Sequence, residues 1–310
     1  MTETALPSAG RPAPDLARNL AREDFWRGMF PELTIRGRLA GTFRVRALRN
    51  EPAMRAAQRM RLEGYFQEHD EELADLAGRL SRAIERCVAR KIPPVFVFLF
   101  DEAWAVFYRQ HPLLEMFLGA GYQVLPDFWA WHVDPGAGEA GWRPHRDKGR
   151  RALAADGSPL SLTMWVPLTE ASPLNGCMYI LPANRDPVYG TADEAVQRID
   201  FPAVRALPGL PGDFFIWNQA VLHWGAQSSP FAERPRMSMA LEFQRGDIAP
   251  FNEPLLGTMP LLSFENRLRL VAKQILQYAH MYPLSPEMQA LAGQVLGGEP
   301  PAAGADAAPA

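Results

Sequence analysis

Six histidines occur in the chain, and two of them stand in His-x-Asp pairs, His132 with Asp134 and His145 with Asp147. On an extended segment, residues two apart project from the same face. Either pair can therefore turn an imidazole nitrogen and a carboxylate oxygen toward one cation. A third ligand from elsewhere would complete a two-histidine, one-carboxylate face, the set that leaves positions open on iron(II) for a cosubstrate and dioxygen. Spacing alone does not choose between the pairs, and a solvated carboxylate on a surface strand shows the same pattern. His69, His111 and His280 have no partner ligand at such spacing and take no role. Two cysteines, Cys87 and Cys177, are too few for a disulfide framework or a thiolate cage, so free thiols in a reducing compartment are expected.

These residues need a scaffold, and the middle of the chain reads as one made of strands. Val95–Phe100, Phe128–Val133, Leu160–Leu168, Cys177–Leu181, Phe214–Trp217 and Met237–Phe243 are short β-branched or aromatic runs separated by Pro, Gly, Asn and Asp. Many short strands with turn signals predict a sandwich, barrel or jelly roll. Before them, Leu73, Leu76, Leu80, Ile84 and Val88 recur at helical spacing up to a stop at Pro93, and Phe264–Tyr278 repeats the pattern near the end. The expected architecture is mainly β with flanking helices. The segments Ala5–Pro14 and Gly297–Ala310 hold little that could be buried, so 1–19 and 297–310 are expected to be disordered tails around a single domain, 20–296, with its β core at about 121–245.

The residues around His145 extend the pattern. Gly141-Trp142-Arg143-Pro144-His145-Arg146-Asp147 is followed by Leu160–Leu168, then Asn175-Gly176-Cys177-Met178-Tyr179-Ile180-Leu181-Pro182, Pro211-Gly212-Asp213-Phe214-Phe215-Ile216-Trp217, His223 and Arg236-Met237-Ser238. In order and content, from about Phe128 to Phe243, this series resembles the phytanoyl-CoA dioxygenase family of iron(II)- and 2-oxoglutarate-dependent oxygenases. The resemblance implies a double-stranded β-helix, or jelly roll, with Fe(II), 2-oxoglutarate and O2 as cofactor and cosubstrates. It implies His145 and Asp147 as the proximal ligands and His223 as the distal one, leaving His132 and Asp134 as a minority alternative on the preceding strand. It also implies an arginine slightly more than ten residues after the distal histidine to bind the far carboxylate of 2-oxoglutarate, for which a planar guanidinium fork is suited.

Arg234 and Arg236 both satisfy that interval. Arg236 is preferred because it leads into a strand on which Arg236, Ser238, Ala240 and Glu242 share one face and Met237, Met239, Leu241 and Phe243 the other. Ser238 could add a hydroxyl to the same carboxylate, and Thr163, sharing an inward face with Trp165, could touch 2-oxoglutarate. Arg234 reads as a rim charge. Asn175-Gly176 reads as a turn, Phe128, Trp129 and Trp131 as core, and Arg146, Lys148, Arg150 and Arg151 as a solvated loop at the barrel mouth. Pro182-Ala183-Asn184-Arg185 departs from the Pro-Gly-Ser-His of many relatives, at the rim and away from the metal. The helical sequence Phe96–Phe107 with Trp104 is a candidate wall for an apolar pocket.

Composition excludes several classes. Thirty-two basic against thirty-five acidic side chains give a charge of −3, without the field that a nucleic-acid partner requires. No apolar run approaches the ~20 residues of a membrane helix, and Met1–Leu20 lacks a secretory block, so a cytoplasmic protein acting on a small molecule is expected. C–H hydroxylation is the implied reaction. Relatives that halogenate replace the carboxylate ligand with a small residue, and Asp147 holds that position here, whereas desaturation or epoxidation would depend on substrate pose. The other class kept open is a jelly-roll metal-binding or regulatory protein without oxidative turnover.

Overall fold

The computed structural model describes residues 14–37, 39, 41–196, 198–258, 262–280 and 284–297. Most of both expected tails, 1–13 and 298–310, lies outside the described residues. Within the expected amino-terminal tail, Pro14–Leu20 forms a helix, α1, whose last residue is fully buried. It is followed by α2 (Glu23–Met29), α3 (Asn50–Glu63), β1 (Tyr65–His69), α4 (Glu71–Val88), α5 (Asp101–Tyr108) and α6 (His111–Leu118). The helical periodicity is realised in α4, which buries Leu73, Leu76, Leu80 and Ile84, and the side chain of Asp70 caps its first turn.

Val95–Phe100 is not a strand. Pro94–Leu99 forms a 3-10 helix with all six residues buried, because Pro93 and Pro94 hold φ near helical values and tight packing on every side makes the run apolar throughout. Neither it nor α5 contributes to the lining of the cavity between the two sheets. Phe98 and Trp104 pack on Phe128, with ring centroids 4.3 and 5.5 Å away, and so cover the outside of the sheet.

The β core follows: β2 (Gln123–Val133), β3 (Ser161–Pro167), β4 (Met178–Leu181), β5 (Arg205–Leu207), β6 (Asp213–Asn218), β7 (Leu222–Gly225) and β8 (Arg236–Gln244). One antiparallel sheet has the order β1-β6-β3-β8-β2 and the other β5-β4-β7. β1 comes from the front third, where only helix was expected, and pairs Tyr65–His69 with Trp217–Asp213. Alternation sorts the side chains. Met237, Met239, Leu241 and Phe243 of β8 join Leu162, Met164, Phe214 and Ile216 in the core beneath the helices, while Trp165, Phe215, Trp217 and Ala240 face the three-stranded sheet. Each fully buried large apolar side chain contributes about 1.5–3 kcal/mol, so slipping β8 by one residue would cost several such terms and carry Arg236 to the wrong face.

Two helices close the chain, α7 (Phe264–Gln277) and α8 (Pro286–Leu296). α7 fixes one end of the barrel. Its Gln274 accepts from Phe128 N (3.0 Å) and donates to Pro126 O, satisfying backbone groups that a register shift between Val124 and Phe128 takes out of the ladder. Arg267, 1% exposed, donates to Leu99 O (2.9 Å) and pairs with fully buried Asp101, which also accepts from the backbone of Arg36 and Gly37. Asp101→Ala would strand a buried guanidinium and should cost about 3–5 kcal/mol in urea unfolding; an unshifted midpoint would show that this pair does not anchor α7.

Candidate metal and cosubstrate site

Residues 140–149 lie against β7 and run antiparallel to it. Gly141 N donates to Ala226 O (3.3 Å), Gly225 N to Trp142 O (3.0 Å), and His145 and His223 exchange two backbone hydrogen bonds of 3.0 Å each. That exchange makes the two histidines directly opposed residues of a ladder, with ring centroids 4.4 Å apart. The approach needs glycine on both sides. A Cβ at Gly141 would sit 2.5 Å from Gly225 Cα, and one at Gly225 would sit 2.6 Å from Gly141 Cα.

Period-two alternation orients the following residues. His145 and Asp147 line a cavity, while Arg146 turns away to donate to Ala220 O and Asp186 Oδ2, both at 2.6 Å. Lys148 and Gly149 both donate from the backbone to Gln219 O (3.1 Å), and Gly149, at φ +60°, leaves space that a Cβ would contest with Glu194 Oε1 at 2.4 Å. The cationic stretch is therefore not a free loop, since Arg146 pairs with Asp186 and Lys148 with Glu242 (3.0 Å).

Nε2 of His145 lies 3.3 Å, and Nε2 of His223 3.5 Å, from Asp147 Oδ1. One ligand atom from each residue falls within 4.8 Å of the others. On the far side of each ring, Nδ1 meets a backbone carbonyl, Arg143 O for His145 (2.6 Å) and Val221 O for His223 (3.0 Å). A carbonyl only accepts, so Nδ1 carries the hydrogen and Nε2 offers its lone pair. Asp147 is braced in the same way: Oδ2 accepts from Thr163 Oγ1 (2.7 Å) and Trp217 Nε1 (3.2 Å), and Thr163 Oγ1 accepts from Gln219 Nε2 (2.9 Å). Oδ1 is thus turned toward the imidazoles. Once Nε2 of each ring is deprotonated, two imidazoles and one oriented carboxylate fit a divalent transition-metal ion.

Electrostatics agree with the geometry. Burial pushes His223 down to about 4, which keeps the ring neutral and ready to ligate. Burial would raise Asp147, but His223, His145 and the Thr163 hydroxyl outweigh it and hold the carboxyl well below its usual range. For His145, burial is outweighed by the hydrogen bond and charge of Asp147, and its pKa is raised.

The other sequence-derived candidates divide clearly. His132 points away from the face that Trp131 presents to the cavity, and Asp134 closes a turn by accepting from Gly136 N (2.8 Å), so this pair is not brought to the cluster. Thr163 lines the cavity, but its hydroxyl is committed to Asp147 and is not left over for 2-oxoglutarate. Arg236, 1% exposed, stands in the cavity wall, and Ser238 accepts a hydrogen bond from its Nη1, while Arg234 is exposed. Trp217 and Gln219 were not singled out from sequence. The inward parity of β6 could have found Trp217, whereas nothing local marks Gln219. Trp129 and Trp131, expected as core, also line the cavity.

A two-sheet β core that gathers a two-histidine, one-carboxylate cluster and a buried arginine in one cavity defines a non-haem oxygenase. Residues 41–235 match the model of the family Phytanoyl-CoA dioxygenase (PhyH), and the chain belongs to that family, whose members use iron(II), 2-oxoglutarate and dioxygen. Among solved structures, the fold is similar to the non-haem α-ketoglutarate-dependent epimerase SnoN from nogalamycin biosynthesis (TM-score 0.51, 19% identity, covering 64% of this chain and 84% of that one). It is also similar to the apo form of the non-haem monooxygenase ThoJ (TM-score 0.55, 15% identity, covering 78% and 99%). Among the described residues no helix is long and apolar enough to cross a membrane.

Two outcomes follow from this geometry. Metal binding must displace a proton from His145 once the pH falls below its raised pKa, so affinity for iron(II) or cobalt(II) should be flat on the alkaline side and fall about tenfold per pH unit on the acid side. A titration showing no fall until near pH 4 would mean that His223 alone controls the loss. Gly225→Ala should force residues 140–145 off β7 and weaken metal binding about tenfold or more while the barrel stays folded by circular dichroism; near-normal metal affinity would show that the close approach is dispensable.

Proposed function

We propose that the chain is an iron(II)- and 2-oxoglutarate-dependent hydroxylase of a small-molecule C–H bond, with the metal on His145, Asp147 and His223 and the distal carboxylate of 2-oxoglutarate on Arg236. The observation that carries this reading is Arg236 itself. Its guanidinium is buried in the cavity wall, its Nε has no hydrogen-bond partner and no carboxylate reaches ion-pair distance among the described residues; burial pushes it down to about 10. A desolvated cation without a counter-ion is costly, and an incoming dicarboxylate removes that cost.

Bound iron, with 2-oxoglutarate and dioxygen, supplies the oxidising power for hydroxylation, and 2-oxoglutarate leaves as succinate and CO2. The chain supplies placement. Thr163 and Trp217 stop Asp147 from rotating, and the two carbonyl acceptors keep each Nε2 aimed inward. Ser238 holds one nitrogen of Arg236, and Trp165 lies beneath it, 5.8 Å from ring centre to guanidinium. The cavity lining joins the metal cluster to Arg236, with Trp131, Trp165 and Trp217 as its aromatic wall.

Anaerobic addition of iron(II) and 2-oxoglutarate should produce a visible charge-transfer band that needs both. Arg236→Gln should keep the metal yet weaken 2-oxoglutarate by roughly ten- to over a hundredfold, for loss of a charge-assisted pair worth ~1.5–3 kcal/mol or more. Arg236→Lys should recover only part, since an ammonium cannot reproduce the fork. Arg234→Gln should change little, and the opposite ranking of the two arginines would shift the cosubstrate site. Asp147→Ala should strip the metal itself, and full iron occupancy in that variant would sink the ligand assignment.

A further inference from the structure

The cavity is electrically lopsided along its length. On β8 its wall includes Arg236, Ala240 and Glu242, which puts the Cα atoms of Arg236 and Glu242 roughly 20 Å apart along an extended strand. Near Arg236 the unpaired groups are donors: Arg236 Nε and the indole N–H groups of Trp131 and Trp165, which stand beside Ser238 and Ala240 in the ladder. At the far end the unpaired groups include an acceptor, Asp127 Oδ2, as well as the indole N–H of Trp142.

Asp127, on the strand next to β8, is 2% exposed and lines the cavity. Its Oδ1 accepts from Asn252 Nδ2 (2.8 Å), Gln277 Nε2 (2.7 Å) and, at 3.5 Å, the Tyr278 hydroxyl, while its Oδ2 is buried without a hydrogen-bond partner among the described residues. Glu242 stands in the same wall, paired with Lys148, and neither Lys148 nor Lys273 belongs to the cavity lining. The rings of Trp129, Trp142 and Tyr278 complete this end, with Tyr278 centred 4.7 Å from Trp142 and 5.4 Å from Trp129. Aromatic faces and carboxylates both attract a cation. An anionic group would meet the Asp127 carboxylate, and an apolar one would leave Asp127 Oδ2 unsatisfied, while Glu242, which burial pushes up to about 8, ionises more readily beside a cation.

We propose that the substrate carries an ammonium centre, received by Asp127, Glu242 and the rings of Trp129, Trp142 and Tyr278. This rests on the hydroxylase reading and adds the substrate's chemical class to it. The metal cluster then lies between a basic end that takes the cosubstrate and an acidic, aromatic end that takes the substrate.

The test is calorimetric titration of the full chain, loaded anaerobically with iron(II) and 2-oxoglutarate, using n-butylammonium, n-butanol and butyrate as matched probes. Butylammonium should bind about tenfold or more tightly than either of the others. Asp127→Asn and Glu242→Gln should each lose about tenfold of that affinity while leaving 2-oxoglutarate affinity unchanged. Equal binding of butanol and butylammonium, or retention of butylammonium affinity in both variants, would overturn the proposal. Should one variant fail to fold by thermal melting, the other and Trp142→Leu carry the same expectation. If 2-oxoglutarate did not bind the wild-type chain, the hydroxylase reading would fall separately, and the same titrations with metal alone would still decide the ammonium site.

Discussion

His145 and His223 meet through two reciprocal backbone hydrogen bonds, and the rest of the site is arranged around that contact. Because the bonds are made by main chain, the imidazoles are set by the path of residues 140–149 along β7 and not by side-chain preference. The path depends on two missing Cβ atoms, at Gly141 and Gly225, and is pinned beyond the histidine by Arg146 on buried Asp186. Asp147 then falls opposite Thr163 and Trp217, which face one another across β3 and β6. A slip in that register would leave its carboxylate unbraced.

The barrel tolerates such a polar interior because its charges are separated by layers of apolar packing. The outward faces of the larger sheet are covered by helices through Phe98, Trp104, Phe128 and the methionines of β8. The inward faces keep the tryptophans and the charged groups. Buried charges are handled in two ways. Arg267–Asp101 and Arg146–Asp186 are ion pairs that hold elements together, whereas Arg236 and Asp127 stand in the cavity wall with no ion-pair partner among the described residues. Paired charges are structural in effect; unpaired ones create a demand that a ligand can meet.

α7 links these two roles. Its buried Arg267 ties it to the start of α5, its Gln274 repairs the shifted ladder of β2, and the residue just beyond its end, Tyr278, reaches the cavity beside Trp142. A helix that reads from sequence as simple cover therefore also sets the shape of the cavity at its acidic end.

Much of this was legible in the chain alone. The His145-x-Asp147 spacing, the strand runs with their two-residue alternation, the polar and apolar faces of β8 and the periodicity of α4 and α7 are local properties, each written within a few consecutive residues. What stayed illegible depends on partners far away in the chain. Val95–Phe100 is apolar on every side because it is buried on every side, so no period distinguishes helix from strand. The inward parity of Thr163 could be read, but not that its hydroxyl meets Asp147, since that follows from the depth at which residues 140–149 dock. His132 and His145 carry equivalent local patterns, and only the docking against β7 brings one of them to His223. Residue types and local periods thus set which groups were on offer and which way each strand would face. Tertiary structure decided which of them meet, because contact between distant segments is fixed by ladder register and close packing, quantities that no short stretch of sequence contains.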